Sequence, residues 1–263
     1  MDFGSGATYV NPTMMPALRS RVQEQERGVR MTSEDELSRR IAGVQQHYRE
    51  HPPHPSDDHD SEWIMRLPVT RVILDWIGKG NRVLDLGCHE GDISALIRGA
   101  GNSVTGIDLP DIAAVARQKH GLDAIGHDLN RPLPFENDEF DVVVCASVLD
   151  DIPDDLGHLR ECLRVLKSGG RLIVIVPNDV SLFRRFQSLL GRSSRDFSAA
   201  TGYHTLHCYT LSGIKTLLAL AGFKVEVESK CPKRYSRIPL RFWVERILPA
   251  TFATDLAVLA RRP

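Results

Sequence analysis

Short apolar runs rich in β-branched residues recur through the middle of the chain and alternate with segments of helical period. Such continuous runs are typical of parallel strands buried on both faces of a sheet. They occupy residues 82–86, 103–108, 122–125, 140–146 and 172–176. Helices are predicted between them at residues 92–99, 111–120 and 154–166, the last stopped by Ser168-Gly169-Gly170. This alternation predicts an α/β fold with a doubly wound, mostly parallel sheet.

The remaining segments add two strands to the sheet and an extension before it. Helices at residues 182–190 and 210–221, the second ended by Gly222, precede two further strands at 223–228 and 255–260, which makes seven strands in all. Ser33 and Glu36 match a capping box, and an amphipathic helix follows them as far as Tyr48. We therefore divide the chain into an N-terminal helical extension and linker, residues 1–60, and one α/β domain, residues 61–263.

Composition narrows the class of protein. The chain has 263 residues, 25% of them charged, and a net charge of -1, which argues against wholesale binding to nucleic acid. Its five cysteines form no C-x-x-C pair, so neither a zinc site nor a disulfide framework is expected and a cytoplasmic location is predicted. Four histidines between His47 and His59 are consistent with a metal site, but their proline-rich setting favours a solvated linker. No metal is predicted.

The turn after the first strand carries the most specific chemistry. The strand reaches Asp85 and enters the next helix through Gly87 and Gly91, which places backbone N–H groups and a negative charge at one cleft. Asp108 ends the second strand, where a carboxylate can accept both hydroxyls of a ribose. Asp128 and Leu129 follow the third strand and suit an adenine amino group and ring face, and the fourth strand closes beside the same cleft.

A nicotinamide dinucleotide fold is the nearest alternative, since it also places an acidic residue after its second strand. Its fingerprint requires glycines at the first, third and sixth positions. Counted from Gly87, this chain has His89 and Asp92 at the third and sixth. The Asp92 carboxylate would also repel a diphosphate, whereas a ligand with an amino group tolerates it.

From about residue 82 to 222 the chain resembles the class I S-adenosylmethionine-dependent methyltransferases, in particular the small-molecule enzymes of ubiquinone biosynthesis and of bacterial polysaccharide or secondary metabolism. The resemblance includes Phe135-Glu136-Asn137-Asp138-Glu139-Phe140-Asp141 before the fourth strand and Leu163 to Leu172 before the fifth. It implies S-adenosylmethionine as cofactor, with the methionine part at Asp85, Gly87 and Gly91, the ribose at Asp108 and the adenine at Asp128. The full set implied is Asp85, Gly87, Cys88, His89, Gly91, Asp108, Leu109, Asp128, Leu129 and Ser147.

Two positions depart from the family pattern. His89 replaces a usual glycine, which costs about 1 kcal/mol if that residue needs a left-handed backbone. Asp151 stands where many members of the family have histidine.

Methyl transfer from a sulfonium needs mainly a well-placed acceptor, and a base helps when the acceptor is a hydroxyl. The candidates for the base are His204, Asp151 and His207, and His204 is the preferred one. Each has a structural alternative: Asp150 and Asp151 favour a turn or a helix cap, and the histidines precede the cap residue Thr210. An Asn/Asp-Pro-Pro-Tyr pattern, typical of transfer to nitrogen, is missing after the fourth strand, so we expect transfer to oxygen.

The acceptor is expected to be a small or lipid-linked molecule. Residues 181–203 form an insertion of the kind that covers an acceptor, and basic residues greatly outnumber acidic ones from Arg184 to Arg246. This excess suits an anionic acceptor, or peripheral contact with anionic lipid through residues 233–248; the alternative is a solvated helix face. Oligomeric state is left open. The competing functions are a non-catalytic S-adenosylmethionine-binding protein and an RNA methyltransferase.

Overall fold

The computed structural model describes residues 68–191, 206–231 and 253–263. Within these ranges the strands form one seven-stranded sheet with the order β3-β2-β1-β4-β5-β7-β6. Their bounds are β1 Arg82–Leu86, β2 Ser103–Asp108, β3 Asp123–Gly126, β4 Phe140–Ala146, β5 Leu166–Pro177, β6 Lys224–Cys231 and β7 Asp255–Arg261. The first five strands pair in parallel, and β7 runs antiparallel to both β5 and β6. The predicted α/β sheet, doubly wound and mostly parallel, is confirmed.

Helices cover both faces of this sheet. They are α1 Pro68–Ile77, α2 Asp92–Gly99, α3 Pro110–His120, α4 Asp155–Val165, α5 Leu182–Leu189 and α6 Leu211–Ala221, with a 3-10 turn at Leu149–Asp151. On one face β4 buries Val143 and Cys145 against α4 and α6, and on the other it buries Val142 and Val144 against α1 and α2. Because both faces of the central strands are buried, their sequences are continuous apolar runs.

The boundary between α4 and β5 differs from the prediction. The helix does not stop at the glycines; it ends at Val165, and β5 begins at Leu166, so Gly169 and Gly170 lie inside the strand. Leu166 pairs with Phe140 before the register shifts, and Gly169 has a φ of 74° in the irregular segment. The two glycines therefore allow a bulge in a strand instead of capping a helix.

Other predicted bounds agree within a few residues. β1, β2, β4 and α2 have the predicted ends, and Thr210 caps α6 by accepting a hydrogen bond from the Gly213 N–H at 3.0 Å. Helix α1 was not predicted. The N-terminal extension, residues 1–60, lies outside the described residues, so its helix and the proposed domain boundary stay predictions.

Candidate active site

The strand order reverses between β1 and β4, and ligands of such sheets bind outside the carboxyl ends of the strands at this point. Gly87, directly after β1, has a φ of 68°, and a Cβ there would collide with the side chain of Val148 after β4. Gly91 precedes α2 with a φ of 87°, and a Cβ there would collide with Leu122. Both glycines are thus required by backbone conformation and by close packing.

Asp85 is a buried carboxylate beneath this turn, with 4% of its surface exposed. Its described partner is Ser94 on α2, whose hydroxyl donates to Asp85 Oδ2 at 2.5 Å. Burial raises the pKa of Asp85 to about 6; the Ser94 bond opposes this rise and the neighbouring Asp108 adds to it. A cationic partner, such as the ammonium of an amino acid, would stabilise the ionised form of a carboxylate buried in this way.

Asp108 ties the glycine turn to the end of β2. Its two carboxylate oxygens accept the backbone N–H groups of His89 at 2.8 Å and of Leu109 at 2.7 Å. Burial raises the pKa of Asp108, against the effect of these two bonds. Each oxygen keeps a further lone pair, so the carboxylate can accept hydroxyl groups while it holds the turn.

His89, which stands where the family usually has glycine, adopts the left-handed backbone conformation. Its φ is 51°, and its N–H bond to Asp108 fixes it there. The preceding residue, Cys88, is buried against Gly106, where a Cβ would lie 2.8 Å from Cys88 Sγ. Burial raises the pKa of the Cys88 thiol strongly, so this cysteine is an uncharged packing group.

The acidic residues that flank Gly91 are paired with α3. Lys119 Nζ lies 2.8 Å from Glu90 and 3.0 Å from Asp92, and His120 Nε2 lies 2.8 Å from Asp92. Burial would raise the pKa of Asp92, but the bonds from Lys119 and His120 outweigh it and hold that pKa below its usual value. The Asp92 charge is therefore compensated, and the expectation that it repels a diphosphate loses its basis. The missing glycines remain the argument against a dinucleotide.

Asp128 and Leu129 lie in a tight turn after β3. Asp128 Oδ1 accepts the Asn130 backbone N–H at 3.0 Å and the Asn130 Nδ2 at 2.7 Å. Leu129 packs against the core, and its carbonyl lies 3.2 Å from Nδ1 of His158 on α4. Ser147 follows β4 with a φ of 56°, and its N–H donates to Ile175. The fold thus brings every predicted cofactor residue to one edge of four neighbouring strands.

Two of the three predicted bases also lie at this edge. Asp151 belongs to the 3-10 turn after β4, and the backbone N–H of His207 donates to the carbonyl of Asp150 in that turn. His204 lies outside the described residues. Asp154, not Asp150 or Asp151, caps α4 by accepting the Gly157 N–H at 2.9 Å.

The His207 ring has its own set of neighbours. Its Nε2 lies 3.3 Å from the Pro153 carbonyl, and its Nδ1 lies 3.9 Å from Asp155 Oδ2. The same Asp155 oxygen accepts the Tyr209 hydroxyl at 2.9 Å. These contacts attach the segment before α6 to the start of α4.

Comparison with known proteins agrees with this geometry. A family model described as a methyltransferase domain matches residues 84–174. The ubiquinone biosynthesis O-methyltransferase of Pseudomonas fluorescens (strain Pf0-1) is 30% identical over 132 residues, which cover 46% of this chain and 57% of that protein. Residues 84–174 of this chain are therefore similar to a methyltransferase domain, as the sequence pattern predicted. The chain spans little more than half the length of the curated relatives it matches.

Solved structures share the fold of this methyltransferase domain. An S-adenosylmethionine-dependent methyltransferase from Mesorhizobium loti has a TM-score of 0.59 at 23% identity and covers 78% of this chain and 99% of its own. The 1,6-didemethyltoxoflavin-N1-methyltransferase of Burkholderia thailandensis, solved with S-adenosylhomocysteine, has a TM-score of 0.60 at 18% identity and covers 89% and 92%. The predicted fold is confirmed, and the methyltransferase domain match agrees with the predicted family and cofactor.

Sequence reasoning missed two side chains of the methyltransferase domain. Ser94 supports Asp85, and its signal is a polar residue at an inward position of α2, three residues before the buried Ile97. His158 binds the turn at Leu129, and no local pattern indicates that contact. In the described ranges, no group of three or more His, Cys, Asp or Glu side chains is arranged to hold a metal ion. Nor does any helix described there have the length and apolarity to cross a membrane.

Proposed function

We propose that this protein transfers the methyl group of S-adenosylmethionine to an oxygen of a small-molecule acceptor. The observation that carries the proposal is the Asp108 carboxylate, which holds the His89 turn at 2.8 Å beside the buried Asp85. This places two carboxylates of different environment at one turn, one suited to an ammonium and one to hydroxyl groups. The printed name of the relatives, O-methyltransferase, supports oxygen as the acceptor atom.

The residues present fit the cofactor. Asp85 would hold its ammonium, Asp108 its ribose hydroxyls, and Asp128 with Leu129 its adenine. The remaining residues of the set would line it: Gly87, Cys88, His89, Gly91, Leu109 and Ser147. When bound, S-adenosylmethionine supplies a methyl group that its sulfonium has already activated for displacement.

The chain itself must orient the acceptor and take its proton. In the proposed reaction a bond forms between the acceptor oxygen and the methyl carbon, the bond from that carbon to sulfur breaks, and the hydroxyl proton passes to a side chain. We propose His204, Asp151 and His207 as the proton acceptors to be tested. The contact of His207 Nε2 with Pro153 favours a structural role for this ring, and His204 stays the preferred base.

The proposed acceptor is anionic or lipid-linked. In the described part of the chain, α5 carries Arg184 and Arg185 and exposes Phe186 and Leu189, and Leu190 directly after the helix is exposed too. A basic and apolar surface of this kind supports binding of such an acceptor, or peripheral contact with anionic lipid. Residues 233–248, on which that contact was predicted, lie outside the described residues. Nucleic acid stays an unfavoured partner on charge grounds, and a cytoplasmic location stays a prediction.

Methyl transfer can be tested with the full chain, S-adenosylmethionine and a panel of phenols, catechols and lipid-linked alcohols, read by mass spectrometry. We expect a methyl ether and an equal amount of S-adenosylhomocysteine. Methylation of RNA or of a nitrogen would contradict the proposal. With an acceptor in hand, the pH–rate profiles of H204A, D151N and H207A identify the base, because only its loss removes the rise in kcat with pH.

A further inference from the structure

The segment between β3 and β4 is bound to successive turns of α4 by three side chains. His158 Nδ1 lies 3.2 Å from the Leu129 carbonyl, and Glu161 Oε2 accepts the Leu133 N–H at 2.9 Å. Arg164 donates to the carbonyls of Leu133 at 3.0 Å and Phe135 at 2.7 Å. Because residues three apart are neighbours on a helix surface, α4 presents these groups as a row. His158 is the member of the row that reaches the turn of Asp128 and Leu129.

His158 acts there as a neutral donor. It is 5% exposed, and burial lowers its pKa to about 4, so the ring carries no charge near neutral pH. The Leu129 carbonyl can only accept, so Nδ1 carries the hydrogen of the neutral ring. Nε2 is then a bare acceptor, and it has no hydrogen-bond partner among the described residues. The polar contact that the ring makes is thus directed at one backbone atom.

The turn that His158 holds is rigid within itself. Asn130 binds Asp128 Oδ1 through both its backbone N–H and its side-chain amide, at 3.0 Å and 2.7 Å. These bonds fix the shape of residues 128–130. Leu129, the central residue of the turn, packs against the core, and its carbonyl is held by the bond from His158.

We propose that His158 is a positioning residue that sets the place of the adenine subsite by holding the Leu129 carbonyl. The inference rests on the proposed function, in which Asp128 accepts from the adenine amino group and Leu129 covers the ring. If the bond is lost, the turn moves as a unit and Asp128 no longer meets the amino group. Selectivity for the amino group then falls, while contacts to the methionine part at Asp85 are kept.

The test compares two ligands by titration calorimetry on the full chain: S-adenosylhomocysteine and S-inosylhomocysteine, in which an oxygen replaces the adenine amino group. H158L removes the donor at similar volume. H158N restores it, because the amide nitrogen of asparagine lies near the place of Nδ1. E161Q is the matched control on the same helix, since it weakens the next contact in the row, at Leu133. H158Q, whose amide nitrogen lies one carbon further out, replaces H158L if that variant does not fold.

We expect the natural chain to prefer the adenosyl ligand by about tenfold or more. H158L should lower this preference about tenfold, equivalent to about 1.4 kcal/mol, whereas H158N and E161Q should keep it within about threefold. An unchanged preference in H158L, or a loss in H158N equal to that in H158L, would overturn the role of His158. Failure of the natural chain to bind either ligand would instead overturn the proposed function.

Discussion

His89 holds a backbone conformation that glycine adopts without steric cost. Its φ of 51° is fixed by the bond from its N–H to Asp108. H89G should therefore stabilise the fold by about 1 kcal/mol and leave cofactor binding intact, because the Asp108 contact uses a backbone group. H89A is the control, since it removes the imidazole but keeps Cβ and the strain. Urea midpoints measure both; equal stability of H89G and H89A would show that the conformation carries no strain.

Asp85 is a buried carboxylate whose charge opposes folding. Burial raises the pKa of Asp85 from its ordinary value of 3.8 to about 6 in the folded protein. The folded protein therefore holds a proton on Asp85 between these pH values, and ionisation of Asp85 destabilises the fold at higher pH. D85N should raise the free energy of unfolding at pH ~8 by up to about 3 kcal/mol, and the gain should vanish below pH ~4. S94A should act in the opposite direction at pH ~8, because it removes a donor to the ionised carboxylate. Urea unfolding at several pH values checks both variants, and a gain in D85N that does not change with pH would contradict this account.

Cofactor affinity should depend on the ionisation state of Asp85. In the proposed site the cofactor ammonium pairs with the ionised Asp85 carboxylate, so cofactor affinity should fall as pH drops through about 6, approaching tenfold per pH unit. Titration calorimetry with S-adenosylhomocysteine between pH ~5 and ~8 measures this slope. In D85N affinity should be lower throughout and the step near pH ~6 should disappear. Persistence of that step in D85N would assign it to another group.

At the scale of elements, Gly91 lies where the turn after β1 enters α2 and packs closely against α3. A Cβ there would collide with Leu122 and lie 3.1 Å from Ala116 Cβ, at a φ of 87°. G91A should cost about 2–3 kcal/mol, since overpacking adds to backbone strain. G121A is the matched control, because Gly121 has a φ of 58° but nothing lies within 4 Å of its added Cβ. G121A should lower the free energy of unfolding by only about 1 kcal/mol, as measured by chemical denaturation. Equal losses would show that packing around the turn is loose.

The sequence pattern predicts the strands and helices well where local residues alone determine where an element begins and ends. β1, β2 and β4 are apolar runs between polar or glycine boundaries, and their ends were predicted correctly. The Gly169-Gly170 pair was misread as a helix stop, because a bulge depends on the register that β5 adopts against β4. The insertion of β7 between β5 and β6 likewise depends on pairing across the sheet, which no local pattern encodes.

The candidate site also combines features that local sequence predicts with features that depend on tertiary packing. Asp85, Gly87 and Asp108 could be predicted because they sit at strand ends, which parallel strands bring to one edge. The contact of His158 with Leu129 joins residues 29 positions apart, and that of Ser94 with Asp85 depends on how α2 packs. Such supporting contacts arise from tertiary packing, so the sequence indicates which strand-end residues come together better than it indicates the groups that position them.

At the scale of the whole molecule, the fold places the predicted cofactor residues on one edge of the sheet and the turn of Asp151 beside them. The fold does not identify the acceptor, because one fold can carry sites for many different substrates. The Mesorhizobium and Burkholderia structures share the fold at 23% and 18% identity, so the shared sheet does not define an acceptor. The cofactor site is accordingly the central claim.

Titration calorimetry of the full chain with S-adenosylmethionine tests that claim most directly, with D108A as the paired variant. We predict one site per chain and an affinity at least about tenfold weaker in D108A, because the variant loses the hydroxyl acceptor and the anchor of the His89 turn. Circular dichroism serves as the control that D108A is folded. Absence of binding by the natural chain at millimolar cofactor, or the same affinity in D108A, would contradict the account.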